Sequence, residues 1–488
     1  MPNNYLPTAA EYIRFLPEII LTVMATIIMV VQAMVGENRD GIMPKLAFVG
    51  LAGSLAAAIA AYGSPGAAFQ GMLIVDGFGT FFRVLCISVG ILTVFCSTQY
   101  LRKEHAESGE YNALVLFSVA GQCILVTANE LMMVFIGLEI SSIATYILAG
   151  YLRDDRRNNE AAIKYFLLGS FATAFLLYGV AWIYGLTQST SLFEIHRVLS
   201  TREIAPAAGL VGTAAALMFV GFAFKISAAP FQVWAPDVYQ GAPAPVSAFM
   251  SAGPKAAAFA VFLRVYMTAF QPIADRWAPI VWFCALCTML VGNFAALTQN
   301  NIKRLLAYSS IAHAGYVLVA ITTHSDTGTA AAMFYLAAYA FMNIGAFAVV
   351  THFARQGERY LNIDEMAGLG ARQPVTAALL TIFLLSLIGV PLTGGFFGKF
   401  YVFKAALDGH LVWLTIIGLL NSAVAAYYYL RIIVVMYMHE PGTATDTLGP
   451  LSAGLKVATW TAAIATLILG IFPSAILDFA TNSAALIK

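Results

Sequence analysis

Residues 389–400 read Gly389-Val390-Pro391-Leu392-Thr393-Gly394-Gly395-Phe396-Phe397-Gly398-Lys399-Phe400, a set of helix breakers and one lysine inside an apolar stretch that runs from about 374 to 409. Proline removes a backbone donor and clashes with the preceding turn, and paired glycines lower the cost of leaving helical geometry. The stretch reads as a broken helix. A second long segment, about 207–243, is interrupted in the same way by Ser227-Ala-Ala-Pro-Phe-Gln-Val-Trp-Ala-Pro236. Irregular backbone of this kind survives at membrane depth only inside protein or beside water.

Composition supplies the membrane. With 60% hydrophobic and 10% charged residues over 488 positions, the chain carries more apolar surface than one water-soluble core could bury. Runs of roughly 20 apolar residues cross the hydrocarbon layer as helices, and the pattern predicts about fourteen. They begin near 15–35, 42–62, 76–99, 111–128, 129–150, 159–187, 207–229, 244–270 and 278–298, and continue near 302–321, 329–353, 374–409, 411–437 and 453–475. The first is not a cleavable signal peptide, since Glu11 and Glu18 accompany Arg14 in its leading residues.

The loops after odd-numbered spans hold Arg39, Lys45, Arg102, Lys103, Arg153, Arg156, Arg157, Lys303, Arg304, Arg355, Arg359 and Arg372, whereas the even loops hold little beyond Arg197, Arg202 and Arg276. The positive-inside rule then puts the odd loops in the cytoplasm and both termini on the periplasmic side. A net charge of +1 argues for no partner, and no basic patch suggests nucleic acid. Cys86, Cys96, Cys123, Cys284 and Cys287 all fall within expected spans and read as small buried hydrophobes. Cys284 and Cys287 have a metal-ligand spacing but no second pair to complete a set.

The fold expected is an all-α polytopic bundle. Three N-terminal spans occupy 1–110, a five-helix unit 111–271, a second five-helix unit 272–437, and a final span 438–488. Each unit has its broken helix in fourth place, and because five is odd the second unit enters from the opposite face, giving an inverted repeat of the transporter kind.

Ionisable residues mark the sites. Glu139 lies near the middle of the fifth span, Lys255 near the middle of the eighth, Lys225 just before the first break and Lys399 just after the second. A charge at such depth costs about 2.5–3.5 kcal/mol on insertion scales and is functional by default. Lys164 is a weaker candidate, because Glu160 four residues earlier makes a boundary ion pair an equal reading. His313 in the tenth span is either a relay or a hydrogen-bonded bundle histidine. Lys303, at the start of that span, is a further weak candidate. Tyr427-Tyr-Tyr429, Asn293, Asn343 and Asn421 read as interhelical hydrogen-bonding residues.

A lysine removed from water favours its neutral form and a nearby carboxylate restores the charge, so a lysine whose partner can approach or leave takes up and releases a proton. No aromatic cage or amide cluster for an organic solute is visible in the sequence. Protons or sodium ions are the simplest cargo. Moving one charge against a membrane potential costs about 2.3 kcal/mol per 100 mV, so the energy comes from a gradient or from a partner doing chemistry elsewhere.

Gly137-Leu-Glu-Ile140, Phe224-Lys-Ile-Ser-Ala-Ala-Pro-Phe231, Trp234-Ala-Pro-Asp-Val-Tyr-Gln-Gly-Ala-Pro243, Lys255-Ala-Ala-Ala258, Lys303-Arg-Leu-Leu-Ala-Tyr-Ser-Ser310 with His313, and residues 389–400 together resemble the antiporter-like membrane subunits of respiratory complex I, and within them the N-type branch. The resemblance implies that Glu139 and Lys225 form a modulating pair, that Lys255 is the central proton carrier and that Lys399 faces the exit. It also implies flavin, iron–sulfur clusters, NADH and quinone in partner subunits, none in this chain, and other complex I membrane subunits as lateral neighbours in the bilayer. Lysine at 399 and a chain that stops soon after the last span set it apart from the M-type and L-type branches. A subunit of a multi-subunit cation/proton antiporter shares the helix plan, and a non-conducting scaffold is a third alternative.

Overall fold

A computed structural model describes residues 6–35, 41–201 and 208–485. Arg39 and Arg202, used above for orientation, lie outside the described residues. Thirteen described helices are long and apolar enough to cross a membrane. The pair Pro374–Ile388 and Gly394–Asp408, split at the quoted stretch, brings the number of crossings to fourteen.

The first three spans are Leu16–Met34, Ile42–Ala61 and Gly77–Lys103. The next five are Gly109–Thr127, Leu131–Ala149, Arg156–Thr187, Gly209–Ile226 with the short piece Ala235–Gly241, and Ala244–Thr268. Then come Ala274–Leu297, Ile302–Thr322, Asp326–Ala354, the broken twelfth, and Val412–Met438. The fourteenth is Ala453–Ile471. Side chains of Asp76, Glu130, Asp155, Asn301 and Ser325 cap the third, fifth, sixth, tenth and eleventh helices, each satisfying a backbone N–H the helix leaves orphaned.

The fourth to eighth and the ninth to thirteenth spans pack alike. In each run the first span lies along the second, the third against the fourth, and the fifth returns to the first. The closest pairing in each depends on glycine. A Cβ on Gly121 or Gly137 would meet fifth- or fourth-span backbone nitrogens at 2.5 and 2.8 Å, and one on Gly292 or Gly315 would meet tenth- or ninth-span nitrogens at the same 2.5 and 2.8 Å. The eighth, tenth and eleventh spans are almost wholly buried, whereas the first, second, sixth and thirteenth turn more than half of their residues outward. The centre of the molecule is therefore built from the helices that carry Lys255 and His313.

Several features were not expected. Gly66–Ala68 and Leu73–Val75 form a small antiparallel hairpin; the Ala67 carbonyl of its first strand and the Ser64 and Pro65 carbonyls just before that strand accept the three donors used by Arg14. The segment 438–488, expected to be one final span, also contains a separate helix, Pro473–Ala484. Phe472 has left helical geometry because the residue before proline is forced out of it. Loops after the third, fifth, ninth and eleventh spans meet at one end of the bundle, where Glu104, Arg157 and Lys303 all reach the 357–358 turn.

Candidate functional site

The opening lysine sits on a helix end. Pro374–Ile388 stops at Gly389, which adopts φ +93°, and its last carbonyls have no partner within the helix. Lys399 Nζ donates to two of them, Leu387 O at 3.0 Å and Ile388 O at 2.8 Å, and to Ser422 Oγ at 2.8 Å. The ammonium thus meets the negative end of a helix dipole and also lies 4.9 Å above the Tyr316 ring.

The first break is closed by side chains too. Trp234 Nε1 donates to Phe224 O at 2.9 Å, and Ala229 N donates to Thr288 Oγ1 at 2.8 Å. Trp234 stacks on Tyr165 with centroids 4.4 Å apart, and Lys225 Nζ lies 4.8, 5.2 and 5.6 Å from the Tyr146, Tyr165 and Phe224 rings. Three rings, from positions 146, 165 and 224, thus surround the protein's own lysine.

The expected Glu139–Lys225 pair is not a direct ion pair. Lys225 Nζ donates to Tyr146 OH at 3.0 Å, while Glu139 Oε1 accepts from Thr173 Oγ1 at 2.9 Å. Both side chains are half-buried, and a hydroxyl on a neighbouring helix reaches each before they reach one another.

Lys255 is 2% exposed. Its polar contacts among the described residues are both to Ser310, the carbonyl at 3.0 Å and Oγ at 2.5 Å, and no described carboxylate forms an ion pair with it. One turn along the same helix, His313 Nδ1 lies 2.7 Å from Tyr335 OH and Nε2 lies 3.2 Å from Tyr429 OH. Tyr429 OH is bonded in turn to Ser309 Oγ. The His313 and Tyr316 rings are 5.6 Å apart. Ser310, His313 and Tyr316, three residues apart on one helical stripe, thus lead from Lys255 to Lys399. The buried hydroxyls of Tyr239 and Tyr339 both face Ser310, and the buried Ser227 Oγ has no hydrogen-bond partner among the described residues; a buried polar atom of that kind ordinarily holds ordered water.

The remaining candidates lie apart from this line. Lys164 pairs with Glu160 at 2.6 Å and with Asp237 at 2.8 Å, and Arg304 reaches Asp237 at 2.7 Å; this cluster is partly open. Lys303 was counted above with the basic loop residues. Instead it is completely buried and bonded to Glu358 Oε2 at 2.6 Å, because the 355–373 connection folds back over the start of its helix. Asn293, Asn343 and Asn421 do bridge helices, as do Tyr428 and Tyr429, but Tyr427 points outward. Sequence reasoning missed Asp237, Glu358, and the buried ion pairs Glu18–Arg83 at 2.7 Å and Asp76–Arg264 at 2.8 Å. An ionisable residue within an apolar run was the available signal for Glu18 and Arg83. Among the described residues no three His, Cys, Asp or Glu side chains are grouped to hold a metal.

Residues 128–425 match the family model described as NADH:quinone oxidoreductase/Mrp antiporter, transmembrane. The chain is 65% identical over 488 residues, covering 100% of both chains, to "NADH-quinone oxidoreductase subunit N 1" of Solibacter usitatus. It is similar to a chain of respiratory complex I from Thermus thermophilus solved with bound aureothin, at 33% identity and TM-score 0.81 over 95% of this chain and 99% of that one. A chain of the Mrp complex from Dietzia sp. superposes with TM-score 0.86 over 98% of each at 20% identity, a likeness of fold alone.

Proposed function

The chain belongs to the NADH:quinone oxidoreductase/Mrp antiporter transmembrane family, among the N subunits of NADH-quinone oxidoreductase, and from that premise we propose that it moves protons across the membrane while doing no redox chemistry itself. Quinone reduction in a remote part of the assembly supplies the energy. NADH, flavin, iron–sulfur clusters and quinone are handled by partner subunits, and other membrane subunits of the complex flank this one in the bacterial inner membrane. Both termini lie on the periplasmic side and the odd loops in the cytoplasm. The inverted units 111–271 and 272–437 each supply one broken helix to the path.

The observation that carries this reading is the setting of Lys255. A buried ammonium that lacks a carboxylate is not held charged by Coulomb attraction; the Ser310 carbonyl accepts from Lys255 in either state, and the Ser310 hydroxyl accepts from the ammonium or donates to the neutral amine. It can lose its proton to a neighbour and regain one. In the proposed order Glu139 and Lys225 modulate, Lys255 carries, and Lys399 releases after transfer along Ser310, His313 and Tyr316. The tyrosine–histidine contacts on that stripe turn a lone charge into a connected line.

Purification of the chain from native membranes in mild detergent tests the assignment. Recovery with flavin- and iron-containing subunits is expected. Recovery with small antiporter subunits, together with sodium-dependent proton exchange, would instead establish the cation/proton antiporter alternative.

A further inference from the structure

Glu358 lies in a connection that reads as an ordinary polar loop, yet it is 7% exposed and its carboxylate ties together the third, eighth and tenth spans. Oε2 receives Lys303 Nζ at 2.6 Å, and Oε1 receives Tyr100 OH at 2.9 Å and Ala244 N at 2.7 Å. Lys303 Nζ also donates to Ala242 O. The ion pair therefore grips both sides of Pro243, the joint between the short piece of the first broken helix and the helix that bears Lys255.

Two observations say more than a clamp. Glu358 forms part of the wall of a cleft of about 770 Å³ that Glu104, His105, Asp154, Arg156 and Arg157 also line. The cleft opens at the end of the bundle where the basic loops gather. The charged and titratable groups facing Glu358 are Lys303 of the tenth span, Tyr100 and Glu104 of the third, and Arg157 with Asp155 at the start of the sixth. The backbone is also bent to put the carboxylate there: Arg355, Gly357 and Glu358 all have positive φ, at +53°, +70° and +48°. For the two non-glycine residues that conformation is costly and persists only when its surroundings impose it.

On its inner side the pair points at Lys255. Lys303 and Ser310 are seven residues apart on one helix face, about 10 Å along the axis, and Ser310 is the residue that holds Lys255. The buried Tyr239 hydroxyl, on the short helix between Trp234 and Ala242, also faces Ser310.

We propose that Glu358 and Lys303 form the port through which protons from the cleft load Lys255, an assignment that rests on the proton-conducting reading above. A proton from water in the cleft converts the Glu358 carboxylate to the acid. Lys303, its counter-charge gone, passes its own proton along the Ser310 face to the neutral amine of Lys255. The Glu358 acid then reprotonates Lys303 and the ion pair re-forms. One proton leaves the cleft, one arrives at Lys255, and both port groups return to their starting states.

The test uses the intact assembly in inverted membrane vesicles, with NADH-driven acidification as readout and subunit content checked first. E358Q keeps an oxygen to accept from Ala244 and Tyr100 but cannot carry the proton, whereas E358D keeps the acid and loses reach. A port predicts that E358Q falls at least threefold and that E358D pumps better than E358Q. A mere clamp predicts the reverse order, and E358Q with wild-type acidification overturns the proposal. Should E358Q fail to assemble, D154C decides: a bulky thiol reagent on this exposed cleft residue is expected to lower acidification relative to the same vesicles before labelling. Complete labelling without effect overturns the port. K255A separates the levels, because normal pumping by assembled K255A removes the underlying reading, while inactive K255A beside fully active E358Q removes the port alone.

Discussion

Ser310 holds the Lys255 ammonium twice, through its carbonyl at 3.0 Å and its hydroxyl at 2.5 Å. A hydrogen bond to a charged group contributes about 1.5–3 kcal/mol, so the hydroxyl sets much of the balance between the two protonation states of this lysine. S310A removes it without disturbing the helix, since alanine is the better helix former. Assembly is expected to be normal and NADH-driven proton translocation several-fold slower; unchanged translocation would mean that Lys255 titrates without help from Ser310.

Two glycines of the second break have different duties. A Cβ on Gly389 would meet Lys399 Cδ at 3.1 Å from a residue at φ +93°, a left-handed conformation that costs an L-residue roughly 1–2 kcal/mol. G389A is therefore expected to assemble while displacing Lys399 and reducing pumping. A Cβ on Gly395 would lie 1.8 Å from Ser386 O, against backbone that cannot yield. G395A is expected to abolish accumulation of the subunit, measured as its content in native gels of solubilised membranes.

Lys225 keeps two kinds of partner, the Tyr146 hydroxyl at 3.0 Å and the aromatic faces around it. Y146F deletes the first and retains the second, which contributes about 0.5–2 kcal/mol. Proton translocation should therefore fall less in Y146F than in K225A. Equal loss in the two variants would show that the hydroxyl, and not the ring, is what matters.

Glu18 and Arg83 are 0% and 1% exposed and approach to 2.7 Å in the N-terminal helices, away from the lysine line. Both groups are sealed from water, so each depends on the other to offset its buried charge. Removing one partner of a buried pair costs about 3–5 kcal/mol, whereas replacing both with apolar residues is often neutral. E18M and R83M are each expected to lower the melting temperature of the solubilised assembly, and E18M/R83M to recover most of it, with pumping per assembled complex unchanged in the double variant.

The spans and both breaks were legible because they rest on local properties, apolar run length at 16–34 or 326–354 and proline or paired glycine at 230, 391 and 394–395. The mid-helix position of Lys255 followed from the same count, and Lys255 and Lys399 are both buried in the protein. What a charge touches is not local. Lys303 and Glu358 are 55 residues apart, and each sits among polar neighbours that resemble a solvated loop until the chain folds over them. The hydroxyl partners of Glu139 and Lys225 were hidden for a related reason, since Thr173 and Tyr146 belong to helices whose facing surfaces the sequence does not announce. The hairpin at 66–75 was hidden because three-residue strands leave no periodicity to detect.

The most direct measurement is NADH-driven acidification by vesicles containing fully assembled K255A, normalised to complex content. Loss of most of the proton translocation while the complex keeps all its subunits is the result expected of a proton-carrying Lys255. Wild-type acidification by that assembled variant would contradict the account, because the central buried amine would then carry nothing.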